Sequence, residues 1–348
     1  VIWKGQTVLR NPSSTELAEL LGLRQDAPPR DAHDVLVVGA GPAGLAAAVT
    51  AAAEGLTTVV LDAIATGGQA GTSSQIENYL GFPAGISGAE LADRAVVQAR
   101  KFGATFTIPG EARSLDRIDG HFVVGLTDGA EVEAHTVVLA TGVRYRRLDV
   151  PGMDRLEGAS VYYAATESEA RLCHGDPVTI VGGGNSAGQA ALFLARNAAE
   201  VNLVIRHDDL FRDMSRYLAE RIVSTPRVHA WSHCEVYELR GDLALEEVIV
   251  HDLSTDERRP LSATALIVLI GSEPHTRWLE GASALDDRGF VLTGAGHGGA
   301  MMFETAIAGV FAVGDVRSGS VKRVASAVGE GAMAVRLVYE YLVRAGRR

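Results

Sequence analysis

Val37-Val38-Gly39-Ala40-Gly41-Pro42-Ala43-Gly44 and Ile180-Val181-Gly182-Gly183-Gly184-Asn185-Ser186-Ala187 decide how this chain is read. Each stretch follows an apolar run that reads as a buried strand, and each opens an Ala-rich run that reads as a helix. In such a loop the first two glycines let the backbone turn tightly and approach a pyrophosphate, whose charge meets the helix N-terminus. The third position has to be small for helix–strand packing; Gly44 stands there in the first loop and Ala187 in the second. One such loop is a weak signal, because a Gly-rich strand–helix turn can bind nothing. Two in one chain suggest two nucleotide cofactors, and the usual reason for that is electron transfer between them.

At 348 residues the chain is long enough for two domains, each with its own core. Hydrophobic residues make up 47% and aromatics 6%, with 39 glycines, which suits an α/β protein with close helix–strand packing. A formal net charge of -11 argues against nucleic acid or an anionic membrane as a partner. No apolar run approaches the roughly 20 residues of a membrane span, and no signal peptide is visible. Cys173 and Cys234 make neither a metal-ligand pattern nor C-x-x-C; they read as reduced thiols, so a cytoplasmic location is expected.

Val1 to Gly5 and Gln6 to Arg10 read as short strands, and Pro12-Ser13-Ser14-Thr15-Glu16-Leu17 starts a helix capped by Ser13 or Ser14. Residues 1–24 cannot bury a core alone and read as the remnant of a preceding domain or an arm; residues 25–33 read as a linker. From Asp34 the pattern is strand (34–38), helix (41–54) and strand (57–61). Thr66 to Ser74 is too small and polar for a core element and reads as a loop. A helix over 88–102 follows, then antiparallel strands at 122–126 and 131–137 and a further buried strand at 137–142. The second unit runs strand (177–181), helix (186–197) and strand (201–205), then strands at 228–239, 245–252 and 265–271. A strand with a turn over 309–315 and a long helix over 326–344 complete the first half of a loose internal repeat.

Asp62 ends its strand 18 residues after Gly44, where a carboxylate accepts from a ribose diol. In the second loop that place falls to Arg206, 19 residues after Ala187, followed by His207 and Arg212. A cation there suits a ribose 2′-phosphate, so NADPH is expected over NADH; otherwise Arg206 and Arg212 are solvated surface residues. The NADPH set is thus Gly182, Gly184, Asn185, Ser186, Ala187, Arg206, His207 and Arg212. The first loop alone does not distinguish FAD from NAD, but the end of the chain does. A strand running into Gly314-Asp315, then Lys322-Arg323-Val324-Ala325 and a helix, is what the ribityl and flavin parts of an extended FAD need. Asp315 would accept from a ribityl hydroxyl, and the amides opening the last helix favour the negative charge of a reduced flavin.

Gly39 to Gly44, Gly67-Gly68-Gln69, Ile76-Glu77-Asn78-Tyr79, Ala140-Thr141-Gly142, Gly182 to Ala187, and Glu304-Thr305 through Gly314-Asp315 together resemble the low-molecular-weight thioredoxin reductases. The resemblance runs from about Asp34 to the end of the chain. It implies flavin contacts at Gly68, Gln69 and Asn78. With the reading above, the expected FAD set is Gly39, Gly41, Pro42, Ala43, Gly44, Asp62, Gly67, Gly68, Gln69, Asn78, Thr141, Gly142, Gly314, Asp315, Arg323, Val324 and Ala325. The implied fold is α/β, with two Rossmann-like three-layer (ββα) domains, the second inserted into the first. FAD falls to 34–150 with 272–348 and NAD(P)H to 151–271. A homodimer is implied as well.

The resemblance breaks at one place. Thioredoxin reductases carry C-A-T-C just before the NADPH domain, whereas this chain reads Tyr162-Tyr163-Ala164-Ala165-Thr166-Glu167-Ser168-Glu169-Ala170, with no cysteine before Cys173. A lone thiol cannot form the intramolecular disulfide that relays electrons. The chain is more similar to bacterial thioredoxin-reductase-like proteins without the pair, some of them fused behind a thioredoxin- or glutaredoxin-like segment and a cyclic-nucleotide-binding domain. Residues 1–24 resemble the end of such a segment, so the native protein is expected to have, or to descend from one with, further N-terminal domains. The leading reading is an NADPH-dependent FAD oxidoreductase with an unidentified acceptor, either a small molecule or a redox protein. Tyr163 or Glu167 would shield the flavin or supply a proton, or the tyrosines simply pack beside the linker. The alternatives are electron exchange with an iron–sulfur protein or flavodoxin, as in ferredoxin–NADP reductases, and a flavin-based redox sensor. No metal site is expected: strand alternation would put His229 and His233 on one face without a third ligand nearby.

Overall fold

The computed structural model describes residues 2–3, 7–8, 32–73, 76, 78–165, 167–279, 281 and 284–348. The chain forms two compact units, Val1–Arg144 with Glu273–Arg348, and Tyr145–Ser272. At the N-terminus Ile2–Trp3 pairs antiparallel with Thr7–Val8. The helix expected after Pro12 and most of the linker lie outside the described residues.

The first unit is built on a seven-stranded sheet. Thr105–Thr107, Thr58–Leu61, His33–Val38 and Glu131–Leu139 lie side by side in parallel. His121–Leu126 and Ala112–Ile118 extend the sheet antiparallel, and Val310–Ala312 pairs parallel with the end of Glu131–Leu139. The pattern of residues suggested two strands, Glu131 to Val137 and Val137 to Gly142. They are one strand that changes partners along its length, which is why its alternation gives way to an unbroken apolar run. Val35, Val37, Val60, Val138 and Phe311 face the helices. Leu36, Val38, Val59, Leu61, Val137 and Leu139 face a second layer with Leu115, Phe122 and Val124. The result is three layers.

The helices Pro42–Ala53 and Val324–Arg344 bring the two ends of this unit together. A Cβ on Gly331 would lie 2.1 Å from the Ala43 carbonyl oxygen, so the second helix packs directly on the first one's backbone. The stretch expected as a loop after Thr66 holds one short helical turn, Gly68–Gly71, formed around its small residues.

The second unit repeats the plan. Val161–Tyr162, Ala265–Val268, Pro177–Val181, Glu200–Ile205 and Val228–Ser232 form a five-stranded parallel sheet in that order. Helices Asn185–Leu194 and Arg216–Val223 cover one face, and the antiparallel strands Cys234–Arg240, Glu247–Asp252 and Glu257–Ser262 cover the other. Residues 228–239, expected as a single strand, break at His233, which takes φ 58 and turns the chain from one sheet to the next. His229 and His233 therefore do not share a strand face, which corrects the geometry expected of them. No helix among the described residues is long and apolar enough to cross a membrane.

Gly331→Leu is expected to lower the thermal midpoint by the equivalent of about 1–3 kcal/mol, since backbone cannot yield to the added atoms. Gly329→Ala, where nothing lies within 4 Å of a new Cβ, is expected to raise it slightly. Circular dichroism melts of both variants check this.

Candidate functional site

Gly39 closes the strand His33–Val38 at φ 110, and a Cβ there would stand 2.3 Å from the Ala140 carbonyl oxygen. A side chain at this position would thus drive apart the two strand ends that carry the site. A Cβ on Gly44 would lie 1.8 Å from the Gly39 carbonyl, the close helix–strand approach expected of the third loop position. Gly41 is different: a Cβ on it would meet only the Gly68 Cα, at 3.8 Å. Its smallness is not demanded by the protein's own packing, and it leaves room for a ligand. Pro42 begins the helix and has no N–H, so the first-turn donors available to an anion are those of Ala43 and Gly44.

Asp62 buckles this loop. One carboxylate oxygen accepts from the Ala40 N–H at 2.8 Å, and the other accepts from Ile64 and Ala65 at 3.0 and 3.2 Å. A carboxylate has about four lone-pair positions, so three donors leave one free for a ribose hydroxyl. The Gly67 N–H donates to the Ala40 carbonyl at 2.8 Å, and Gly67 and Gly68 take φ 105 and 53, seating Gly68 against Gly41. Gln69 and Asn78 are exposed. Thr141 donates its hydroxyl to the His275 carbonyl at 2.9 Å, and the His275 N–H donates to Gly142, at φ 65, over 3.2 Å. His275 belongs to no sequence motif, and sequence reasoning missed it. Burial, then the charge of Arg144, holds its imidazole below the ordinary value, against the pull of Asp62 and Glu111.

The chain returns to this site once more at Val313-Gly314. Val313 donates to the Leu139 carbonyl, which places Gly314 (φ 72) so that its Cβ would stand 2.8 Å from the Ala43 methyl. Gly314 in turn donates its N–H to Glu330 at 2.7 Å, and Arg317 grips the same carboxylate at 2.6 and 3.2 Å. Both of these side chains are largely buried, and no sequence signal marks either. Asp315 has no hydrogen-bond donor among the described residues; burial raises its carboxyl, opposed by the charge of Lys322 and assisted by Glu330. An acceptor so placed fits a ligand hydroxyl. Arg323 is the N-cap of the last helix and offers no side-chain cap, so the amides of Val324 and Ala325 are not taken up by one.

In the second unit Gly182 takes φ 144, and its Cβ would lie 2.4 Å from the Leu269 carbonyl. Ala187 is fully buried beside it. Asn185 accepts the Ser215 N–H at 2.7 Å, so its amide oxygen anchors the loop after the next strand. Ser186 is exposed, as is Arg206, which makes no ion pair among the described residues. Arg212 meets His207 Nδ1 at 3.1 Å, and His207 Nε2 lies 3.5 Å from Asp213.

Around Tyr162–Ala165, half-buried and exposed side chains form a ring stack and an ion-pair network. Tyr163 donates to Glu157, which also accepts from Arg147 at 2.7 Å, and its ring stacks on Tyr145 with centroids 5.6 Å apart. Burial and the neighbouring Glu157 push the phenol well above its usual range, so it holds its proton tightly. Glu167 begins the short helix Glu167–Leu172. Cys173 and Cys234 are both buried, the first in the core under the helices and the second under the antiparallel layer, on opposite faces of the parallel sheet. Burial raises both thiols, Cys173 to about 11.

Two βαβ units that each open on a glycine loop, one inserted into the other, define a two-dinucleotide-domain oxidoreductase. The chain belongs to the pyridine nucleotide-disulphide oxidoreductase family, whose model matches residues 33–331. It is similar to the thioredoxin reductase of Treponema pallidum, 33% identical over 89% of this chain and 97% of that one. It is also similar to an alkyl hydroperoxide reductase component of Pseudomonas putida, 35% identical over 90% of this chain and 59% of that one. The solved thioredoxin reductase of Streptococcus pyogenes superposes with a TM-score of 0.78 at 31% identity, covering 90% of this chain and 98% of that one. The chain is an NAD(P)H-dependent flavoprotein oxidoreductase of thioredoxin reductase type.

Thiol titration of the folded protein at neutral pH is expected to find neither cysteine within minutes, and both in denaturant. Glu330→Ala is expected to strand Arg317 and lower stability by about 2 kcal/mol or more, read as a lower melting midpoint.

Proposed function

We propose that the chain is an NADPH-dependent FAD oxidoreductase that hands electrons to its acceptor without a dithiol of its own. The first unit is the FAD domain and the second the NADPH domain. FAD bound in the first unit supplies the two-electron acceptor for the hydride of NADPH. Ala43 and Gly44 would donate to its pyrophosphate, Asp62 would accept from a ribose and Asp315 from a ribityl hydroxyl, and the amides of Val324 and Ala325 would favour the negative charge of the reduced flavin. The room at Gly41 and the carboxylate of Asp315, which has no donor among the described residues, support this assignment. Arg206 meets the 2′-phosphate of NADPH.

The observation that carries the dithiol-free reading is the placement of the cysteines. A disulfide needs Cα atoms within about 7 Å, and Cys173 and Cys234 lie on opposite faces of one sheet with both thiols protonated at neutral pH. The family's relatives named for thioredoxin and alkyl hydroperoxide reduction make a redox protein the acceptor class to test first. The protein is further proposed to act as a cytoplasmic homodimer.

Anaerobic NADPH is expected to bleach the bound flavin, and a Cys173→Ser, Cys234→Ala double variant to bleach at the same rate. A flavin that stays yellow with NADPH defeats the reading, and loss of bleaching in the double variant defeats its dithiol-free part. Arg206→Ala is expected to raise the KM for NADPH roughly tenfold while changing that for NADH little.

A further inference from the structure

We propose that His135 and the segment Arg347–Arg348 form a proton-sensitive clasp at the end of the first unit's sheet away from the glycine loop, closed while the imidazole is neutral and opened when it takes a proton. The clasp ties the residues after the last helix to the start of the strand His33–Val38. One oxygen of Asp34 accepts from the Thr57 N–H at 2.8 Å, from the Thr57 hydroxyl at 2.9 Å and from Arg348 at 2.9 Å. Arg348 also donates to the Gly55 carbonyl at 2.7 Å. Arg347 lies on the hairpin turn between Ala112–Ile118 and His121–Leu126, where a Cβ on Gly120 would stand 3.7 Å from its guanidinium. His121 follows that glycine. Its ring stacks on His135 with centroids 4.9 Å apart, one step along the ladder beyond the Phe122–Ala134 pair.

His135 Nδ1 is buried and has no hydrogen-bond partner among the described residues. A protonated ring carries N–H on both nitrogens, so the charge would bring with it a donor that lacks an acceptor. Burial, then Arg347 and His121, hold this imidazole below the ordinary value, against the pull of Asp34. The ring therefore takes up a proton more readily with the segment gone than with it in place. Closure is complete above the ordinary histidine value of about 6.5 and is lost as pH falls below it. Once charged, His135 repels Arg347 and competes with Arg348 for the Asp34 carboxylate, so both arginines are displaced together. Asp34 itself stays ionised through this range: burial raises its carboxyl, but the bonds from Arg348 and Thr57 outweigh burial and hold it below the usual carboxylate value. The other titratable groups around His135 are His33 on the adjoining strand, Glu133 two residues back on its own strand and Asp119 in the hairpin turn.

Hydrogen exchange of the purified flavoprotein tests the clasp. The amides of Ala345, Gly346 and Arg347 donate to the carbonyls of Tyr341, Val343 and Leu342 at 2.9, 3.1 and 2.9 Å, so their protection reports whether the segment is in place. Each rate is divided by that of the unfolded peptide at the same pH, which removes the intrinsic pH dependence of exchange. Between about pH 8 and about pH 5.5 the wild type is expected to lose roughly tenfold in protection, the factor for about one pH unit below the ordinary histidine value. His135→Gln has no proton to take up and is expected to stay flat. Arg347→Gln alters only an exposed side chain and keeps His135; with the repelling guanidinium gone, the loss is expected to shrink to about threefold or less. The amides of Thr58–Leu61, inside the parallel sheet, are expected to keep their protection in all three proteins. A wild type that stays flat, an equal loss in all three proteins, or a loss that spreads to Thr58–Leu61 overturns the clasp.

Discussion

Backbone-on-backbone contact between two helices is the constraint on which the first unit depends. Pro42–Ala53 and Val324–Arg344 can approach this closely only because Ala43, Ala47 and Gly331 present almost no side chain at the crossing. That approach seats Gly314 on the Ala43 methyl and brings Asp315 and the opening amides of the last helix beside the Gly39 loop. A site assembled from both ends of the chain is therefore held by small-residue packing. Large side chains fill the rest of the core, Phe311 and Phe106 on the helix side and Phe122, Leu36 and Leu61 on the other face of the sheet.

Two carboxylates convert this packing into a fixed geometry. Asp62 takes three backbone donors and sets the curvature of the loop at Ala40, so it has a structural part apart from the ribose contact proposed for it. Glu330 does the same at the other end, accepting from Gly314 and from a bidentate Arg317. A buried ion pair contributes little net stability once desolvation is counted, and its better-attested use is to specify one arrangement. Here the arrangement specified is the turn that aims Asp315, the one carboxylate of the three left without a protein donor among the described residues. The polar groups thus divide by role: two are satisfied by the chain, and one is held ready for a ligand.

The glycine loops, the strand–helix alternation and the return of the C-terminal segment were legible in the sequence because each follows from a period or a backbone requirement that single residues reveal. Gly39, Gly182 and Gly314 take positive φ, Gly44 stands where a Cβ would collide, and Ala187 is fully buried. What was not legible depends on partners distant in sequence. The unity of Glu131–Leu139 is hidden because its two halves have different neighbours and so different patterns. The break at His233 leaves no Gly or Pro to mark it. Glu330 and Arg317 look like ordinary helix and turn charges until burial pairs them, and His275 is drawn to Thr141 and Gly142 only through backbone.

Tyr163 and Arg147 lie in a network that leaves neither side chain uncommitted. A relay thiol needs access and a depressed pKa, which call for solvent and nearby positive charge. Tyr163 instead lies stacked on Tyr145 with its hydroxyl tied to Glu157, and Arg147 is spent on Glu157 and Asp154. Arg147 is thus paired with two carboxylates. The thiols that remain sit in the cores on either side of the sheet, next to Glu169 and Asp176 in one case and Asp252 in the other, so burial and neighbouring negative charge both keep them protonated.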